Sequence, residues 1–133
     1  MGRRAPAFAL LLASTATALA DDPTGTWLRA DGLARVRVAP CGSALCGTVT
    51  WTAEPRTDEH NPDPSLRSRR IVGVRVFFDM RPNGENRWSG RAYNPEDGRS
   101  YSGQMTLSGR RLTTQGCVLG GLLCRSLTWN RVN

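Results

Sequence analysis

The sequence predicts an all-β fold: a single small antiparallel up-and-down barrel of about eight strands, with short hairpins and one long loop. Three observations carry that prediction. Nearly every ordered-looking stretch alternates with period two, and none keeps a helical period over about 11 residues. The segment Gly116-Cys-Val-Leu-Gly-Gly-Leu-Leu-Cys124 reads as a hairpin whose centre sets its own register. Glycines recur on apolar strand faces, at Gly47, Gly73, Gly90, Gly103 and Gly116, where a sheet bends at barrel corners.

The last hairpin is the most explicit element. Gly120-Gly121 suits a two-residue turn with positive φ at both central positions. Counting outward pairs Leu119 with Leu122, Val118 with Leu123 and Cys117 with Cys124. Further out, Gly116 meets Arg125, Thr114 meets Leu127 and Leu112 meets Trp129, while Gln115–Ser126 and Thr113–Thr128 share the other face. One register thus yields a bridge between opposed sulfurs, a mostly apolar face and a polar face.

The remaining strands follow in order. Residues 26–30 form the first and end at Asp31-Gly32. Residues 34–41 place Ala34, Val36 and Val38 on one face; residues 45–52 place Leu45, Gly47, Val49 and Trp51 there. Residues 72–80 direct Val72, Val74, Val76 and Phe78 inward and Gly73, Arg75, Phe77 and Asp79 outward. Arg81-Pro-Asn-Gly84 turns the chain into residues 87–93, and Asn94-Pro-Glu-Asp-Gly98 turns it again into residues 100–107. The one long connection, residues 53–70, is charged and aperiodic, the character of a lid or binding loop.

Residues 1–20 read as a secretory signal peptide: Arg3 and Arg4, an apolar centre from Phe8 to Leu12, and Ala18-Leu19-Ala20 at the cleavage site. The domain is then residues 21–133, exported to the periplasm and not spanning the membrane. Four cysteines in an exported chain favour disulfides, and the simplest pairing is Cys41–Cys46 and Cys117–Cys124. Their spacings are not those of zinc knuckles. The 18 basic residues are all arginine against 11 acidic ones, which excludes lysine chemistry. Export and the absence of a basic stacking platform argue against nucleic acid as a partner. Weak contact with anionic envelope surfaces stays open.

Candidate site residues divide into three groups. Trp51, Trp88, Tyr101, Arg125 and Trp129 lie on the apolar faces and are candidate ligand contacts, with Val74, Phe78, Met105 and Leu127 as further lining. Trp27, from Gly25-Thr-Trp27, with Arg125 or Arg131 from the last strand, resembles the lipocalin-type closure in which a guanidinium stacks on an indole at one barrel end. Arg125 serving only to cap Trp27 is the simpler reading of that residue. Asp58, Asn61, Asp63 and Arg67 belong to the long loop as lid residues. Asp58-Glu59-His60-Asn61-Pro62-Asp63 lacks calcium-loop spacing, so no metal or cofactor is expected. His60 is the only histidine and no nucleophile motif adjoins it, so no enzyme is expected.

With these residues in view the chain resembles the DUF2147 family of small exported bacterial proteins, lipocalin-like in fold. The matching stretches are Gly25-Thr-Trp27, Cys41-Gly-Ser-Ala-Leu-Cys-Gly47, Asp58 with Asn61-Pro-Asp-Pro-Ser-Leu-Arg-Ser-Arg-Arg70, Gly73, Tyr93-Asn-Pro-Glu-Asp-Gly-Arg-Ser-Tyr-Ser-Gly103, Leu112 with Gly116-Cys117, and Arg125-Ser-Leu-Thr-Trp-Asn-Arg131. They run in order over nearly the whole domain. The resemblance implies a periplasmic β-barrel and brings no established catalytic residues. Asn94 stands where the family usually has Asp, which removes a carboxylate from that motif. The expected function is non-enzymatic binding of a small apolar or amphipathic ligand, its acidic head toward Arg125. A structural or interaction protein of the envelope with a filled barrel is the alternative.

Overall fold

In the computed structural model, which describes Gly2 and residues 22–132, eight strands close into an antiparallel barrel in chain order. They are β1 (Gly25–Arg29), β2 (Ala34–Cys41), β3 (Ala44–Thr52), β4 (Arg75–Pro82), β5 (Arg87–Asn94), β6 (Arg99–Ser108), β7 (Arg111–Val118) and β8 (Leu123–Arg131). The expected leader at residues 1–20 lies outside the described residues, Gly2 excepted. The meander gathers the β1–β2, β3–β4, β5–β6 and β7–β8 connections at one end, here the mouth. The other three turns, the start of β1 and the end of β8 lie at the floor.

The final hairpin adopts the register expected from its sequence, from Leu112↔Trp129 through Cys117↔Cys124 to Val118↔Leu123. Gly120 and Gly121 take φ of 65° and 94°, as a two-residue turn requires. Leu119 is left-handed too, at φ 55°. The ladder therefore stops one pair early, and Leu119 and Leu122 are joined by one bond from Leu122 N–H to the Leu119 carbonyl, 3.3 Å. Disulfides link Cys41 to Cys46 and Cys117 to Cys124.

Two irregularities correct the expected faces. A β-bulge between Arg35 and Val36 sets Trp51 opposite Arg35 and Val49 opposite Val36. Thr50 is the extra residue, so alternation inverts beyond it and Trp51 turns outward. Its ring is 41% exposed beneath the Arg35 guanidinium, 5.2 Å away. In β4, Asp79 has φ 51° and the pairing jumps from Phe78↔Arg91 to Arg81↔Ser89. Asp79 and Met80 together oppose Gly90, where a Cβ would strike the Phe78 and Asp79 carbonyls. Phe77, not Phe78, is buried, with Val76 beside it, because the pairing with β3 passes from Thr48↔Arg75 to Gly47↔Phe77 and leaves Val76 as an extra residue. A Cβ on Gly47 would collide with the Phe77 ring, so this glycine makes room for the aromatic.

The start of β4 is also later than expected. Residues 71–74 turn around Gly73 (φ 98°), with Val74 N–H bonded to the Ile71 carbonyl at 2.9 Å. Val72 consequently faces solvent, and Gly73 serves a turn instead of a barrel corner. Below these turns Val36, Val38, Met80, Met105, Leu107 and Leu112 pack into a core with almost no exposure.

Candidate functional site

At the floor, Trp27 is fully buried and its indole N–H donates to the Pro23 carbonyl at 2.8 Å. The Arg131 guanidinium lies 4.3 Å above the ring centre. Its other donors reach the Thr24 carbonyl at 2.8 Å and the Asp22 carbonyl at 2.6 Å. Arg131, not Arg125, thus makes the cation–π closure. Arg125 sits at the opposite end of β8, paired with Gly116, and the two arginines have separate tasks.

At the mouth, a cavity of about 320 Å³ enters the barrel. Its depth is apolar: Val36, Val49, Ile71, Val76, Phe77 and Trp129 line it. Phe77 meets Trp129 edge-on with centroids 6.2 Å apart, and the Trp129 indole N–H donates to Thr114 Oγ1 at 2.9 Å. Both rings are held in place. Leu127 lines the cavity nearer the rim, and its exposure reflects that opening.

The rim is charged. Arg29 follows Trp27 by two residues on β1 and so shares its inward face, a parity the sequence already contained. Its guanidinium donates to Asp31 at 2.8 and 2.9 Å and lies 3.6 Å from Glu96. The Asp31 hydrogen bond holds the Arg29 pKa above its ordinary value and Asp31 below its own. Arg56 also approaches Glu96, at 3.8 Å. Tyr101 donates to Asp97, which raises the phenol pKa. Arg125 lines the same cavity, is exposed, and has no carboxylate within ion-pair distance among the described residues.

The long loop is latched to this rim. Asp58 is fully buried, and its carboxylate accepts from Tyr93 Oη at 2.5 Å, Asn61 Nδ2 at 2.8 Å and Arg69 Nε at 2.9 Å. Burial alone would push the Asp58 pKa up; the hydrogen bonds from Tyr93, Asn61 and Arg69 and the Arg69 charge outweigh it and hold the group low. Burial first, then the bond to Asp58, pushes the Tyr93 phenol up to about 12. Arg67 Nε donates to the Asn61 carbonyl at 2.8 Å, and Asp63 caps the short 3₁₀ turn by accepting from Ser65 N–H at 2.9 Å. At Gly98 a Cβ would strike the His60 carbonyl, so the β5–β6 turn rests directly on the loop. Asp58 and Asn61 tie the loop to β5 through Tyr93, and Arg67 and Asp63 organise its backbone.

Of the five expected ligand contacts, Tyr101, Arg125 and Trp129 meet around the cavity. Trp51 stands outside the barrel, and Trp88, paired with Met105 and Pro82, packs against the core away from the cavity. Val74 and Met105 are core, and Phe78 is half-buried against it. Arg29, Asp31, Arg56, Glu96 and Phe77 were not expected there. His60 lines the cavity with Glu59 3.4 Å from Nε2. Among the described residues no three His, Cys, Asp or Glu side chains form a metal-holding group.

Comparison with known proteins agrees with this architecture. Residues 25–131 match the family described as an uncharacterized protein conserved in bacteria, DUF2147. A solved structure, protein HP1028 from the human pathogen Helicobacter pylori, described as belonging to the lipocalin family, is similar with a TM-score of 0.75. It is 21% identical, and the match covers 84% of each chain. No curated protein matches the sequence significantly.

Proposed function

The chain belongs to the DUF2147 family, and from its cavity we propose that it binds a small amphipathic acid, tail inward and head group at Arg125. One observation carries this reading. Three arginines line the rim, and two are already matched, Arg29 by Asp31 and Glu96 and Arg56 by Glu96. Among the described residues, Arg125 alone of these three offers an unmatched guanidinium above an apolar interior. The depth supplies area burial, on the order of 25 cal/mol per Å², and the arginine supplies orientation. At about 320 Å³ the cavity is at the small end for ligand sites and suits a compact molecule. A filled barrel with a purely structural role is disfavoured by this void. The lone His60 faces Glu59 instead of a nucleophile, which supports binding without chemistry. The expected leader and two disulfides support a periplasmic setting.

Native mass spectrometry of protein taken from a bacterial periplasm without refolding tests the reading. The expected result is a co-purified carboxylate that is lost in Arg125→Gln with the fold retained. Losing one charge-assisted contact weakens binding roughly 10- to 100-fold. Clean apo protein that also ignores a panel of fatty acids would overturn the proposal and favour the structural role.

A further inference from the structure

The aromatic donors around the cavity are spent on the protein itself. Tyr93 gives its hydroxyl hydrogen to Asp58, Tyr101 gives its own to Asp97, and the Trp129 indole donates to Thr114. An indole N–H can only donate, so the Thr114 oxygen is the acceptor in that contact. The hydroxyl hydrogen of Thr114 is then still to be placed, and it meets no acceptor among the described residues. Thr114 is 4% exposed and lines the cavity. The interior it faces is built from Val36, Val49, Val76 and Phe77, whose side chains offer no acceptor.

The register fixes where this donor stands. Gly116 opposes Arg125 and Thr114 opposes Leu127, so Thr114 lies two residues deeper along the same inner face. At a strand's rise per residue that is about 7 Å below the Arg125 row. The indole bond and the edge-on Phe77 ring hold Trp129 in place, and with it the Thr114 oxygen. Water entering the open mouth can accept from this hydroxyl. A bound alkyl tail expels that water and leaves a buried donor without a partner, which costs affinity. A ligand oxygen at the same depth restores the bond, so the site discriminates through the penalty of an unmet donor.

Resting on the reading of Arg125 as the head-group contact, we propose that the ligand is an oxygenated acid. It is a compact carboxylate with a keto, hydroxyl or ether oxygen part-way along its chain, and that oxygen accepts from Thr114. Isothermal titration calorimetry of the full domain tests this, with octanoate and with octanoates bearing a ketone at the fourth or fifth carbon. A ketone only accepts, so it probes a donor. The better keto acid is expected to bind roughly tenfold tighter than octanoate, the worth of one hydrogen bond. Thr114→Val keeps the shape and removes the hydroxyl. In that variant the preference should fall below about twofold, with octanoate bound at least as tightly as by wild type. Thr114→Ser keeps the hydroxyl and should keep the preference. The wild-type comparison stands whether or not Thr114→Val folds without an acceptor for Trp129. Arg125→Gln should weaken both ligands by a similar factor and leave their ratio unchanged. Equal binding of the two ligands by wild type, or a preference that survives Thr114→Val, would overturn the proposal and leave the Arg125 reading intact. No binding of either ligand, or binding indifferent to Arg125→Gln, would overturn the Arg125 reading and this proposal with it.

Discussion

Arg131 and Arg125 occupy the same face of the same strand, six residues apart, and behave as opposites. At the floor, Arg131 is saturated: an indole beneath it and two backbone carbonyls beside it. At the mouth, Arg125 meets no carboxylate among the described residues, and its neighbours Gly116, Leu127 and Trp129 line a cavity. The difference lies in the surroundings. The chain leading into β1 crosses beneath the floor and lends its carbonyls, whereas β1 leaves β8 before reaching the upper hairpin. A guanidinium surrounded by fixed acceptors closes a barrel; one left facing an apolar void can receive an anion.

The largest expected effect breaks the floor. Trp27→Ala removes a fully buried indole together with the ring under Arg131, a loss of about 3–5 kcal/mol for truncation of a buried aromatic. Thermal or urea unfolding should show it as a large drop in midpoint. A change below about 1 kcal/mol would mean that the floor is not a stabilising element.

The next effect is at the latch. Tyr93→Phe leaves Asp58 buried with one donor fewer and should cost about 1.5–3 kcal/mol, since the lost hydrogen bond is to a charged group. The pH dependence has two limbs. Asp58 is held below its ordinary value of 3.8, so its stabilisation is present above that pH and is lost as pH falls through the depressed value. Tyr93 is raised from 10.0 to about 12, so its contribution is complete below pH 10 and lost as pH rises through about 12. Urea midpoints across pH check both. The alkaline limb should shrink in Tyr93→Phe, and an unchanged limb would detach Tyr93 from the latch.

How legible these regions were in the sequence follows from where the strands are regular. The β7–β8 register could be counted residue by residue because two glycines and two cysteines anchor it. Trp27 and its arginine followed from the ends of the chain, with Arg131 chosen over Arg125 only by the barrel's height. The faces of β3 and β4 depart from strict alternation where one extra residue enters a ladder. Nothing in Thr50 announces the bulge that turns Trp51 outward, and Asp79 is not a residue type that marks positive φ as glycine does. The Arg29 side of the rim was readable, because strict alternation from Trp27 places it inward. The Asp58 latch was not, since it joins residues 35 apart across a loop without periodicity.

The smallest effect sharpens the comparison between the two arginines. Arg131→Gln removes a cation–π contact and two bonds to carbonyls at 2.8 and 2.6 Å, so about 1–2 kcal/mol of stability should be lost. Arg125→Gln removes a side chain that is exposed and without an ion-pair partner among the described residues. Its stability should stay within about 0.5 kcal/mol of wild type, as for surface substitutions away from structural contacts. Urea titration of both variants in parallel, in ligand-free buffer, measures the difference directly. Two equal losses would make Arg125 a structural residue after all. A loss confined to Arg131→Gln would leave Arg125 available for a ligand, a guanidinium on the inner face of the wall whose removal the fold does not register.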